Sequence, residues 1–144
     1  MRITHLNLER NLLCDEGTIT IVKALKKSEV LIYLNLSSNE IKPRGINAIL
    51  EKLMDNCSIQ ELVLGTVDGG NANRVNQSTG KVLTRFSEQN KCATVLSMRG
   101  MGMMVDQVVD FLEKFREKYL AQQELTEKLE AAQNAELDAL EKTY

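Results

Sequence analysis

Shifted by 28 residues, the chain falls on itself: Leu6, Asn7, Leu8, Asn11, Gly17, Ile21 and Leu25 land on identical residues, Leu34, Asn35, Leu36, Asn39, Gly45, Ile49 and Leu53. Ile3/Leu31 and Leu13/Ile41 add conservative pairs. A period of this length constrains the fold more than local propensity does, because each unit is one supersecondary element that buries its apolar face only against its neighbours. In both units leucines first alternate with polar residues, as on a half-buried strand. After an asparagine the pattern changes to a helical one, with Ile46, Ile49, Leu50 and Leu53 three or four apart. Pro43 and Gly45 mark where that helix starts. Each unit therefore reads as strand, turn and returning helix.

The period continues in weakened form. A third unit, "IQELVLGTVDG" from Ile59, keeps Ile59, Leu62 and Leu64 but has Val67 at the asparagine position and Gly69 at the next aliphatic one. The run from 65 to 79 is rich in Gly and Asn and reads as an enlarged loop. A helix is expected to resume near Thr79, with Val82, Leu83 and Phe86 facing inward. A fourth unit, "ATVLSMRGMGM" from Ala93, keeps Leu96 and Met98 and places Met101 and Met103 where the asparagine and the next leucine stood. Val108, Phe111, Leu112 and Phe115 then repeat the spacing of Ile46, Ile49, Leu50 and Leu53. Such decay is expected of a terminal, capping unit.

The two intact units, "ITHLNLERNLL" from Ile3 and "LIYLNLSSNEI" from Leu31, spell L-x-x-L-x-L-x-x-N-x-L with aliphatic substitutions. This pattern resembles the leucine-rich repeat of the ribonuclease-inhibitor type. The resemblance implies an α/β fold: a short leucine-rich-repeat solenoid with parallel strands on the concave side, helices on the convex side and a long C-terminal helix. The repeat domain is expected over 1–116, in units 3–30, 31–58, 59–92 and 93–116, with the helical extension over 117–144. Asn11 and Asn39 are expected to be structural, their amides satisfying backbone groups left unpaired where the chain turns off the strand.

In arrays of this kind partners dock on the concave strand face. Here the outward positions are His5, Asn7 and Glu9; Tyr33, Asn35 and Ser37; Glu61 and Val63; and Val95, Ser97 and Arg99. Neighbouring strands align them in columns, His5–Tyr33–Glu61–Val95 and Asn7–Asn35–Val63–Ser97, with Tyr33 as the natural anchor. The first strand is expected to be an open edge covered by a partner.

Residues 1–104 carry 13 basic and 10 acidic groups, a net of +3, whereas 105–144 carry 5 and 10, a net of −5. From Val105 to Tyr144 the chain has no Gly or Pro and is rich in Glu, Leu, Ala, Gln and Lys, all strong helix formers. Leu125, Leu129, Ala132, Leu137 and Leu140 form a stripe at spacings of three to five. Beyond about Gln122 this helix is expected to leave the repeat body as a docking or coiled-coil helix.

The chemistry of other function classes is missing. There is one histidine, so no H-E-x-x-H and no metal site is expected. "STGKVL" has only the Gly-Lys of a phosphate loop, and "RGMGMM" lacks the third glycine of a dinucleotide fingerprint. Cys14, Cys57 and Cys92 include no C-x-x-C and read as reduced, buried or half-buried thiols. The overall charge of −2 and aromatic content of 4% offer nothing for nucleic acid, and no run of about 18 apolar residues suggests a membrane span. No enzyme activity and no cofactor are expected. The sequence reads as a cytoplasmic protein–protein interaction or scaffold module, a structural subunit of a cytoskeletal or ciliary assembly. The alternative is regulation of a small GTPase or of actin filament ends through the concave face.

Overall fold

The computed structural model describes residues 2–66, 71–101 and 105–143, with side chains for all of these except 105–112 and 143. Expectations for Val67, Gly69 and Met103, and for the side chains of Val108, Phe111 and Leu112, lie outside the described residues. Strands and helices alternate: β1 (His5–Asn7), α1 (Cys14–Leu25), β2 (Tyr33–Asn35), α2 (Pro43–Leu53), β3 (Glu61–Val63), α3 (Gln77–Gln89), β4 (Val95–Ser97) and α4 (Val105–Thr143). The strands form one parallel sheet in the order β1-β2-β3-β4. Parallel neighbours need a crossover, and here each crossover contains one helix. The chain is thus α/β, with a four-stranded parallel sheet and a long C-terminal helix.

The strand register follows the repeat. His5, Tyr33, Glu61 and Val95 lie side by side, as do Asn7, Asn35, Val63 and Ser97. Backbone bonds extend the ladder past the strands: Arg10 donates to Ser37 O (3.1 Å), Ser38 to Gly65 O (3.0 Å) and Thr66 to Arg99 O (2.7 Å). Between the outward columns, Leu34, Leu62 and Leu96 are buried, joined by Leu36 and Leu64. Ile46, Ile49, Leu50 and Leu53 of α2 meet them, with Val82, Leu83 and Phe86 of α3. Full burial of each such side chain stabilises by about 1.5–3 kcal/mol before entropy is charged. Since one sheet face carries this core, the helices lie on that face and the other is left open.

Two sets of polar side chains close the turns. After the strands, Asn39 Nδ2 donates to Leu8 O, Leu36 O and Ser37 O (each 3.0 Å), while its Oδ1 accepts from the N–H groups of Asn11 (2.8 Å) and Leu13 (3.4 Å). Asn11 does a reduced version at the sheet edge, donating to Leu8 O (2.8 Å) and Glu9 O (3.1 Å). In the third unit the same work falls to Asn73, six residues beyond the repeat position. Its Nδ2 donates to Leu64 O (2.7 Å), Leu36 O (2.9 Å) and Gly65 O (3.3 Å), and its Oδ1 accepts from Asn39 and Ile41 (both 3.0 Å). Arg10 and Ser38 share a left-handed φ (58° and 53°), as do Leu12 and Glu40 (51° and 56°). L-residues pay roughly 1–2 kcal/mol for that conformation, which the asparagine bonds offset.

At the other end of the units, Ser28, Asn56 and Asn90 close the helix-to-strand turns. Asn56 Oδ1 accepts from Ser58 and Ile59 (both 2.9 Å), and Asn90 Oδ1 from Cys92 (3.0 Å) and Ala93 (2.8 Å). Each amide also reaches the preceding unit: Asn56 Nδ2 to Ser28 O (3.2 Å), Asn90 Nδ2 to Leu53 O (2.9 Å). Nothing in the single-unit consensus announced this second ladder.

Candidate functional site

The open sheet face is the first surface able to receive a ligand. On it His5 is exposed, and its ring stacks on Tyr33 with centroids 5.8 Å apart and planes 22° from parallel. Its Nδ1 lies 3.0 Å from Thr4 Oγ1, and no carboxylate orients the ring among the described contacts. Tyr33, Glu61, Val63 and Ser97 are half-buried, Val95 and Arg99 exposed, and Glu9 half-buried. Two expectations need correction. Asn35 is 7% exposed and Ser37 1%, so neither projects from the face. The Asn35 amide folds back along its own strand, donating to Tyr33 Oη (3.1 Å) and accepting from Ser37 N–H (2.9 Å). Flanked by strands on both sides, it is covered. Its repeat partner Asn7 makes the same turn, accepting from Glu9 N–H (3.0 Å), but stays exposed at the sheet edge. Ser37 sits beneath the turn, its carbonyl held by Arg10 and Asn39.

The second surface is the outer part of α4. The helix is rooted on α3 by stacking of Phe115 on Phe86 (6.2 Å), by Lys114 Nζ on Glu88 Oε1 (2.9 Å), and by Lys118 Nζ on Asn90 O (2.6 Å). The Lys118 ammonium also lies 4.6 Å above the Phe115 ring. A lysine on the carbonyl of Asn90, the residue that caps α3, complements that helix's negative end. Burial holds the Lys118 pKa below the usual lysine range, with Lys91 nearby adding to the shift. The helix departs after Lys118, and every residue from Tyr119 to Lys142 is exposed. Leu125, Leu129, Leu137 and Leu140 are each 58–59% exposed. With Ala132 they span roughly 140° of the circumference at 3.6 residues per turn, a broad face rather than a narrow seam. Glu136 interrupts it.

A cleft of about 850 Å³ opens beside the strand-to-helix turns, between Asp15, Glu16, Glu40, Lys42, Arg44 and Arg74. Acids and bases balance there, and Arg44 already pairs with Glu16 at 3.2 Å, so the cleft has no marked preference for either sign of charge. Cys92 is half-buried as expected, whereas Cys14 and Cys57 are exposed, which corrects the expectation of shelter for those two thiols. Among the described residues no helix is long and apolar enough to cross a membrane. No protein-family model and no curated protein matches the chain.

Proposed function

We propose that the protein is a non-enzymatic interaction module: a short leucine-rich-repeat array that offers an open strand face and a fixed helical arm to other proteins in an assembly. The observation that carries this reading is the arm. A helix whose stripe leucines Leu125, Leu129, Leu137 and Leu140 are all more than half exposed has an apolar face that nothing among the described residues covers. Residues 121–143 hold six acids and two lysines, so a basic partner helix or groove suits the arm better than a second copy of it. The sheet face supports the same reading, because its centre is mixed and offers one stacked ring pair, His5–Tyr33, as an anchor. A structural place in a cytoskeletal or ciliary complex, in the cytoplasm, is the setting we infer from the repeat type.

Affinity purification with quantitative mass spectrometry tests the reading, comparing the full chain, the chain lacking residues 122–144, and Tyr33→Ala. We expect a specific set of proteins whose recovery falls at least tenfold without the arm and more modestly with Tyr33→Ala. Equal recovery by all three forms would refute both surfaces.

A further inference from the structure

One cluster of reactive side chains lies outside both surfaces. Cys57 follows Asn56 in the turn between α2 and β3, and Cys92 lies two residues after Asn90 in the turn between α3 and β4. The second asparagine ladder ties these turns together. Asn90 Nδ2 donates to Asn56 O (3.1 Å), the carbonyl that leads into Cys57, and Asn90 Oδ1 accepts from the Cys92 N–H (3.0 Å). One side chain therefore bridges the backbone beside one cysteine to the backbone of the other. The two thiols therefore lie on adjoining turns, near enough for Cys57 to act on the Cys92 thiol. Cys57 is exposed and Cys92 half-buried, so a small solute reaches the pair. Cys14 lies at the start of α1, at the other end of the helical layer.

We propose that Cys57 and Cys92 form an oxidative modification site, a dithiol that a hydroperoxide converts into an intrachain disulfide between the third and fourth units. The exposed Cys57 meets the oxidant first. Its thiolate attacks a peroxide oxygen, the O–O bond breaks, and a sulfenic acid forms with release of water, or of an alcohol from an alkyl hydroperoxide. Cys92 then attacks the sulfenic sulfur, the S–O bond breaks, and a second water leaves with the remaining proton. Two S–H bonds are replaced by one S–S bond; the sulfurs lose two electrons and the peroxide gains them. Burial, the hydrogen bond to Cys57 and the charge of Cys57 push the Cys92 thiol up to about 11, against the pull of Lys118. That ordering fits Cys92 as the resolving partner rather than the first nucleophile. The product would pin the unit from which α4 projects to the unit before it.

Purified full chain treated with hydrogen peroxide, digested with trypsin and sequenced by mass spectrometry tests the site. The expected product is a monomer lighter by two hydrogen atoms, with the peptide containing Cys57 linked to the peptide containing Cys92. Cys57→Ser and Cys92→Ser each abolish the link, Cys14→Ser leaves it, and the native chain forms it at least tenfold faster than the urea-unfolded chain. The linked form melts higher than the reduced form by roughly 10 °C. Separate over-oxidation of the two cysteines without a link, dimers through Cys14, equal rates in native and unfolded chains, or a linked form that melts lower would each overturn the proposal.

Discussion

Replacing Asn73 by alanine should cost more than replacing Asn39, although only Asn39 occupies the consensus position. The difference follows from what each change leaves unpaired. Without the Asn39 amide, Leu8 O keeps Asn11 Nδ2, Leu36 O keeps Asn73 Nδ2 and Ser37 O keeps the Arg10 N–H. The Asn11 and Leu13 N–H groups lose their acceptor, but Asn11 is exposed and Leu13 half-buried, so water can replace it. Without the Asn73 amide, Leu36 O and Gly65 O keep other donors, Asn39 Nδ2 and the Ser38 N–H. Leu64 O and the N–H groups of Asn39 and Ile41 are left with no partner among the described bonds, and Leu64, Asn39 and Ile41 are all fully buried. At about 1–3 kcal/mol for each buried orphan, and allowing for relaxation, Asn73→Ala should cost about 3–5 kcal/mol and Asn39→Ala about 1–2 kcal/mol. Urea unfolding followed by far-UV circular dichroism measures both, since the chain has no tryptophan. With a slope of about 1–3 kcal/mol per molar, the Asn73 variant should unfold at least about 1 M earlier than wild type. An Asn73→Ala chain within about 0.5 kcal/mol of wild type, or more stable than Asn39→Ala, would show that the loop amide is not the anchor of the ladder.

Three further substitutions probe the packing and charge that support the two surfaces. A Cβ on Gly65 would lie 2.5 Å from Arg99 O and 2.9 Å from Arg99 N, both backbone atoms, so Gly65→Ala should destabilise by about 2–3 kcal/mol in the same urea assay. Thr18 is fully buried and its Oγ1 has no hydrogen-bond partner among the described residues, while the residue one repeat on is Ile46. Thr18→Val should therefore stabilise by about 1 kcal/mol, read as a rise in melting temperature. Glu88 has its pKa held below the carboxylate norm, first by its hydrogen bond to Lys114 and then by that lysine's charge. A depressed acid contributes stability above its unfolded value that disappears as pH falls through the folded one. The melting difference between wild type and Glu88→Gln should thus be present at pH 7, begin to shrink as the pH falls to the ordinary carboxylate value of about 4.3, and vanish below the lowered folded value.

What the repeat made legible was registry. Once Leu6 had been laid on Leu34, the neighbours of His5, Tyr33, Glu61 and Val95 followed, since identical units stacked in parallel place equal positions side by side. Depth was not legible. Alternation assigns Asn35 to the outer face but does not reveal that its amide lies along its own strand, and the difference between Asn7 and Asn35 is only that one is at the edge. Asn73 was missed because a fixed period of 28 points to Val67. The pointer was available: Asn56 to Asn90 and Ile59 to Ala93 are both 34 apart, so six residues are inserted in the third unit, and adding them to position 67 gives Asn73. The thiol pair has no sequence signature of its own, because Cys57 and Cys92 differ by 35 and meet only through the offset of that second ladder.

The arm and the body do different parts of one task. An isolated helix of this composition would be marginal, because its first turn fixes several residues for a single hydrogen bond. In α4 that cost is met by the docked portion: Phe115 against Phe86, Lys114 on Glu88 and Lys118 on Asn90 hold its third and fourth turns in place. Propagation beyond Lys118 then needs only good helix formers and acid-before-base pairs such as Glu124–Lys128 and Asp138–Lys142, each worth about 0.2–0.5 kcal/mol. The result is an arm that extends roughly 35 Å past its root at 1.5 Å per residue, already helical before any partner arrives. A partner gains its leucine face without ordering it, which is the usual source of affinity in preorganised binders. Loosening the root should therefore weaken binding at the tip. Phe115→Ala, ten residues before the first leucine of the stripe, should lower partner recovery by the arm as well as melting temperature, whereas Leu129→Ala should lower recovery alone. If Phe115→Ala leaves recovery unchanged, the arm binds as a flexible peptide and its attachment to the repeats is incidental.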